Sequence, residues 1–224
     1  MPRVARALVD NCFYHLINRG NSKQKIFHKD GDYNAFLDLL FQAQGRNGVK
    51  LLAWCLMPNH FHLLVQPTAA DQLNKWMHWL TTTHVRRYHQ HYHSSGHVWQ
   101  GRYKSFIVQD DDHLLTVVRY IEGNPVRANL VPSAVQWPWS SCQNRIADVE
   151  EMRPAELPIS IPEDWISFVD TPLTDTEIEM VRNSVNRQAP LGCDGWRTVI
   201  CRQLGLESTL RQRGWQKGLK RTAE

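Results

Sequence analysis

The chain has 224 residues, 26 Lys/Arg against 22 Asp/Glu, a net charge of +4 and 42% hydrophobic residues, enough for one domain with a sizeable core plus an appendage, or for two small domains. No apolar run approaches a membrane span, and the opening Met1-Pro2-Arg3-Val4-Ala5-Arg6 lacks the apolar centre of a secretory leader, so a cytoplasmic protein is expected. Five cysteines (Cys12, Cys55, Cys142, Cys193, Cys201), odd in number and without a Cys-x-x-Cys pair, argue against a disulfide framework or a zinc ribbon.

Charge is distributed unevenly. Residues 1–147 carry 16 Lys/Arg against 9 Asp/Glu, residues 148–180 carry 1 against 10, and residues 181–224 carry 9 against 3. Two basic stretches suit a polyanion, because Lys and Arg release the counterions condensed on phosphates, although ordinary solubility explains so small an excess equally well.

Taken in order, Phe13 to Arg19 reads as a first strand closed by the turn cluster Gly20-Asn21-Ser22. From Asp32 to Gln44, Phe36, Leu37, Leu40 and Phe41 recur with the spacing of one helix face, which Gly45 and Gly48 stop. Val49 to Leu56 is a second strand. Met57-Pro58-Asn59 then turns the chain into a third, His60 to Pro67, so the two are expected to pair as a hairpin. Asp71 is a plausible cap for a long helix to about Tyr92, with Leu73, Trp76, Met77, Leu80, Val85 and Tyr88 near helical spacing. His89 to His97 holds four histidines around Ser94-Ser95-Gly96 and reads as a solvated loop, since nothing there fixes ligand geometry.

Arg102 to Gln109 alternates as a fourth strand, and Asp110-Asp111-Asp112 offers a cap for a helix from His113 to about Gly123. Strand, helix, strand, strand, helix, strand and a further helix make an α+β chain, a ferredoxin-like (split βαβ) antiparallel sheet with helices on one face. Trp137-Pro138-Trp139-Ser140-Ser141 is expected to pack back on this unit. The organisation is then a catalytic domain over 1–142, an acidic Pro-containing linker over 143–172 with little regular structure, and a basic helical extension over 173–224. The extension opens at the capping pattern Thr174-Asp175-Thr176-Glu177, runs through Trp196 to Leu204 and closes on Lys217, Lys220 and Arg221.

Side chains two apart on a strand leave the same face, so His60 and His62 project together while Phe61, Leu63 and Val65 enter a core. Two neutral imidazoles make half of a divalent-metal site, although His-x-His alone reads as readily as a pair of hydrogen-bonded structural histidines. A second stretch shifts the balance. Tyr120 and Asn124 lie four apart on one helix face, and Pro125 disfavours helical geometry at Asn124, so the helix should end there. Set opposite the histidines, they supply a third ligand and a phenol able to act as nucleophile. A phenol with a reference pKa of about 10 needs a polarised target, and a cation on a phosphate oxygen supplies one.

The blocks Tyr14-His15-Leu16-Ile17-Asn18-Arg19-Gly20, Trp54-Cys55-Leu56-Met57-Pro58-Asn59-His60-Phe61-His62, Trp99-Gln100-Gly101-Arg102-Tyr103-Lys104-Ser105, Tyr120-Ile121-Glu122-Gly123-Asn124-Pro125-Val126-Arg127-Ala128 and Trp137-Pro138-Trp139-Ser140-Ser141 occur in one order. With them the chain resembles the single-tyrosine HUH transposases, and more narrowly the REP-associated tyrosine transposases of bacteria, over about residues 10–142. The resemblance implies cleavage and rejoining of single-stranded DNA at the foot of repetitive extragenic palindromic hairpins. It implies a 5′-phosphotyrosine at Tyr120, a free 3′-hydroxyl, and Mg²⁺ or Mn²⁺ held by His60, His62 and Asn124.

DNA contacts are expected from Arg102, Lys104, Arg119 and Arg127 on phosphates, and from Asn18 and Arg19 on the edges of a short guide sequence. Trp99 and Tyr103 read equally as core residues or as platforms for unpaired bases, a stacking worth roughly 1–3 kcal/mol per base. The partner is then hairpin-bearing single-stranded DNA, bound by a monomer or a dimer. Two other classes share the fold. A domesticated hairpin-binding protein would no longer transpose, and an RNA-recognition module would need paired aromatics on adjacent central strands, which the sequence lacks.

Overall fold

In a computed structural model that describes residues 8–46, 48–147 and 152–211, the strands β1 (Phe13–Arg19), β2 (Val49–Met57), β3 (His60–Pro67) and β4 (Lys104–Val108) form one sheet. The sheet is antiparallel throughout, in the order β2-β3-β1-β4 of a split βαβ unit. Pro58-Asn59 makes the expected two-residue hairpin, with Met57 opposite His60. Register sorts the side chains: Cys55, His62, Ile17 and Lys104 form a row on one face, and Leu56, Phe61 and Asn18 a row on the other.

The face bearing Phe61 is covered by α1 (Asp30–Gln44) and α2 (Ala70–Tyr92). Phe61 packs on Phe36 and Trp99, and Trp54 meets Phe41 edge-on. Helix α1 starts two residues before Asp32, whose carboxylate accepts the backbone N–H groups of His28 and Lys29. Asp71 is not a cap. The extended residue Ala69 stands at the helix entrance with its amide held by Gln72, and Asp71 pairs with Lys75 inside the first turn.

The expectation of helices on one face needs correction. Helix α3 (Asp112–Glu122), capped by Asp111 on the His113 amide, lies across the opposite face against β2, β3 and β4. Strands β1 and β3 are buried along nearly their whole length, as strands covered on both faces are, and the apolar stripe of Leu114, Val117, Val118 and Ile121 is the second cover.

Both sheet edges are sealed, which removes the exposed ladders that promote aggregation. On the β2 side the Trp137–Ser141 segment packs back as expected. The Leu56 amide donates to the Trp139 carbonyl, Trp137 Nε1 donates to the Leu56 carbonyl, and the Trp54 amide donates to Ser141 Oγ. On the β4 side Leu191 accepts from the Gln109 amide and donates to the Ile107 carbonyl. The stretch 143–172 is more ordered than its composition predicts. Helix α5 (Ser141–Ile146) runs into it, the Ala155 amide donates to the Leu51 carbonyl beside the β2 bulge, and α6 (Trp165–Asp170) buries Trp165 and Val169 against α3.

Among the described residues the extension holds two α-helices, separated where Gln188 adopts a left-handed conformation (φ 55°) and turns the chain into the segment that pairs with β4. Thr174 and Glu177 form the expected capping box of α7 (Asp175–Arg187), and α8 (Asp194–Leu204) follows. Lys217, Lys220 and Arg221 lie outside the described residues.

Candidate active site

His60 opens β3 and His62 follows on the same face, their ring centroids 5.0 Å apart. Helix α3 brings Tyr120 over this face with its ring centroid 5.7 Å from His62, and the tyrosine is 8% exposed. The three side chains singled out by spacing therefore converge. Two further residues that sequence reasoning passed over join them.

Asn59, in the hairpin turn, fixes His60. Its amide nitrogen donates to the Lys23 carbonyl (3.0 Å), which leaves its Oδ1 as the acceptor facing His60 Nδ1 at 2.7 Å. Nδ1 must then carry the proton, so His60 Nε2 keeps its lone pair. His15, on β1, has its Nε2 2.8 Å from His62 Nδ1 and is fully buried, stacked on His62 and edge-on to Phe106. Its position on the histidine face follows from strand alternation, but a lone histidine in an apolar strand carries no other sequence signal.

All three imidazoles are held neutral. Burial pushes His60 down to about 4, with Arg19 and Arg127 adding to the effect, and pushes His15 down to about 3. Burial also lowers His62 well below its usual value, aided by the neighbouring His15 and His60. A neutral ring offers one lone pair to a metal, whereas a protonated ring offers none.

Helix α3 does not run on to Asn124 as one piece. Gly123 separates it from a single further turn, α4 (Asn124–Arg127), in which Pro125 takes an early position that suits a residue without an N–H. A side chain at residue 123 would meet the Arg119 carbonyl at 2.9 Å and the Val169 carbonyl at 3.2 Å, so this junction requires glycine. Arg127 closes it. Its Nη2 donates to the Tyr120 carbonyl and to Asn124 Oδ1, both at 3.0 Å, and its Cζ lies 4.0 Å from the Tyr120 ring centroid. Behind them Glu122, fully buried, accepts from Ser141 Oγ, Arg145 and Trp165 Nε1 and pins the end of the tyrosine helix to α5 and α6.

The residues expected to contact DNA fall into different settings. Arg19 emerges beside His60, on the site's face. Asn18 is turned to the opposite face, where it is buried and donates to the Gly101 carbonyl. Arg102 and Lys104 are exposed at the start of β4, Lys104 also lining an open cavity of about 930 Å³ walled by α7. Arg119 is buried, donating to the Thr171 and Pro172 carbonyls beside Glu177, so it ties the extension to α3. Trp99 belongs to the α1/α2 core with Phe36, Phe61 and His84, and Tyr103 is buried with its hydroxyl on Asn74. Of the two open readings for those aromatics, packing is the one the structure favours. Neither ring offers a face to a base here.

A divalent cation fits part of this arrangement. His60 presents a lone pair at Nε2, and His62 can present one on the ring nitrogen that His15 does not engage. Among the described residues, no cluster of three or more His, Cys, Asp or Glu is placed to hold a metal. Asn124 carries a side-chain amide at the start of α4. Its oxygen keeps a second lone pair beyond the Arg127 bond, and its Nδ2 is buried without a partner.

The site thus consists of a histidine pair on a central strand of a split βαβ sheet and a tyrosine on the helix that faces it. The chain belongs to the IS200-like transposase family, whose model matches residues 8–124. It is 33% identical over 146 residues to a Haemophilus influenzae protein whose name assigns it provisionally to the REP-associated tyrosine transposases, a match covering 60% of this chain and 77% of that one. Its fold is that of a REP-associated tyrosine transposase solved bound to a REP hairpin, with a TM-score of 0.55 at 16% identity over 71% of this chain and 95% of the other. Among the described residues, no helix is long and apolar enough to cross a membrane.

Proposed function

We propose that this protein cuts and rejoins single-stranded DNA at the foot of REP-like hairpins, with Tyr120 as nucleophile and with His60, His62 and Asn124 as ligands for Mg²⁺ or Mn²⁺. What supports this reading above all is the convergence of Tyr120 with the histidine pair in a chain of the IS200-like transposase family. When bound, the cation would polarise a phosphate oxygen and offset the charge of the leaving oxygen.

The remaining work falls to the chain. Tyr120 Oη forms a bond to phosphorus, the phenolic proton passes to water, and the bond from phosphorus to the 3′ oxygen breaks. That oxygen takes up a proton as a free 3′-hydroxyl, while the 5′-phosphate stays on tyrosine. Rejoining is the reverse attack by a 3′-hydroxyl on the phosphotyrosine. One phosphodiester is exchanged for another, so no nucleotide cofactor is required. Arg127, against the ring and bonded to the backbone of Tyr120, holds the nucleophile in place.

A 3′-labelled hairpin oligonucleotide incubated with the full chain and Mn²⁺ tests the proposal. A denaturant-stable protein–DNA adduct is expected. It should vanish in Tyr120→Phe with hairpin affinity nearly unchanged, and in His60→Ala and His62→Ala. An adduct that persists in Tyr120→Phe removes this residue from the role.

A further inference from the structure

The two histidines of the site are not equivalent in what stands behind them. His60 is oriented by an acceptor of fixed polarity, since the Asn59 amide is locked by the Lys23 carbonyl. Among the described residues, His62 has no carboxylate, amide or carbonyl as a hydrogen-bond partner. What faces its Nδ1, at 2.8 Å, is another imidazole, that of His15.

We propose that His15 is the positioning residue for His62, accepting its Nδ1 proton so that Nε2 is presented to the divalent cation, as Asn59 does for His60. The inference rests on the metal-site reading given above and extends it to a residue outside the His-x-His pair.

Three observations carry it. The first is polarity. Two neutral imidazoles in contact share one proton between the facing nitrogens, so the tautomer of one dictates that of the other. If His15 donates, His62 Nε2 carries a hydrogen and cannot ligate. If His15 accepts, Nε2 is the lone pair. Ligation at Nε2 therefore requires His15 to accept, and the remaining hydrogen then sits on His15 Nδ1.

The second is the fate of that nitrogen. His15 Nδ1 is buried and, among the described residues, has no hydrogen-bond partner. A histidine kept in the core for packing alone would be better replaced by an apolar residue of similar shape, because its orphan nitrogen destabilises the fold. The third is rigidity. His15 is fully buried between His62, stacked at 5.0 Å, and Phe106, edge-on at 4.9 Å, with the Tyr120 ring beyond at 6.2 Å. It cannot turn away, so it fixes the plane of His62 as well as its tautomer.

The test measures Mn²⁺ binding to the full chain without DNA, by the signal of free Mn²⁺ in electron paramagnetic resonance. His15→Phe fills the space without an acceptor and should weaken binding about 10- to 100-fold, the range for outer-shell partners of metal-bound histidines. His15→Gln places Oε1 near the position of Nε2 and should recover most of the affinity, a rescue that a purely packing role would not produce. Mn²⁺ affinity in His15→Phe equal to wild type, with His62→Ala deficient, overturns the role of His15 and leaves the metal site standing. If wild type binds no better than His62→Ala, the metal-site reading fails and this inference with it. Should His15→Phe not fold, imidazole ¹⁵N spectra of the wild-type chain decide the matter. With saturating Mg²⁺, His62 is expected as the Nδ1–H tautomer, and an Nε2–H ring overturns the proposal.

Discussion

Replacing Glu122 by glutamine should destabilise the protein by about 3 kcal/mol, at the lower end of the 3–5 kcal/mol typical of breaking a buried ion pair on one side. Glu122 is fully buried, and its partner Arg145, 2.9 Å away, has a side chain only 6% exposed. Glutamine keeps one oxygen for Ser141 and Arg145, but its amino group then faces the Trp165 Nε1–H, donor against donor, and Arg145 loses its counter-charge. Arg145→Met should cost a similar amount by stranding the carboxylate and freeing the Leu52 carbonyl. Because each change removes the same pairing, the two are not additive, and the double mutant should show a coupling energy of about 2 kcal/mol. Urea unfolding measures all of this as a shift in midpoint at constant slope. Single-mutant costs below about 1 kcal/mol with no coupling, as for an exposed pair, would refute the picture of a dry clamp at the end of the tyrosine helix.

Two further outcomes follow from the contacts of Arg127 and of the extension. Arg127→Lys keeps the charge but loses the planar fork that holds the Tyr120 carbonyl and Asn124 Oδ1 while stacking on the ring, so adduct formation should fall about tenfold or more with hairpin affinity little changed. A drop in affinity with a shallower salt dependence would instead return Arg127 to the phosphate-contacting role expected from sequence. Deleting residues 173–224 removes Leu191 from the β4 edge and Glu177 from Arg119. The truncated chain should therefore unfold at lower urea and scatter more light than the full chain at equal concentration, and equal stability and scattering would show that the edge needs no cover.

Much of the sheet and half of the site could be read from the chain because they rest on local rules. Strand β1 has the expected bounds and the hairpin falls at Pro58-Asn59, since alternation and turn chemistry act over a few residues. His60, His62 and Tyr120 were legible as a short motif and a helical spacing. What escaped was long-range. That β1 and β3 would be covered on both faces shows only in adjacent apolar pairs such as Leu16-Ile17 and Leu63-Leu64, which put an apolar side chain on each face, a signal that the topology alone does not carry. The acidic, proline-containing stretch reads as a linker by composition. Yet Trp165 and Ala155 find partners in Glu122 and Leu51, more than 40 and 100 positions earlier, through one indole donor and one backbone amide that no local pattern announces. Trp99 and Arg119 look like nucleic-acid contacts by residue type, and their burial depends on which element folds over them.

The site keeps its shape through close neighbours, most of them near in sequence. Each chemically active side chain has a neighbour that fixes it: Asn59 holds His60, His15 faces His62, and Arg127 holds both Asn124 and the Tyr120 ring. These neighbours lie in a two-residue turn, on an adjacent strand and one helical turn away, where backbone hydrogen bonds leave little freedom. The proposed in-line displacement at phosphorus would be sensitive to misplacement on the scale of 1 Å, so orientation set by such neighbours would contribute directly to its rate. At Gly123 the helix bearing Tyr120 ends and the turn bearing Asn124 begins. Glu122, one residue before it, is bonded to two other elements, α5 through Ser141 and Arg145 and α6 through Trp165. A carboxylate buried at that junction therefore couples the stability of the surrounding segments to the placement of Tyr120. Loosening Glu122 should lower adduct formation even in molecules that remain folded.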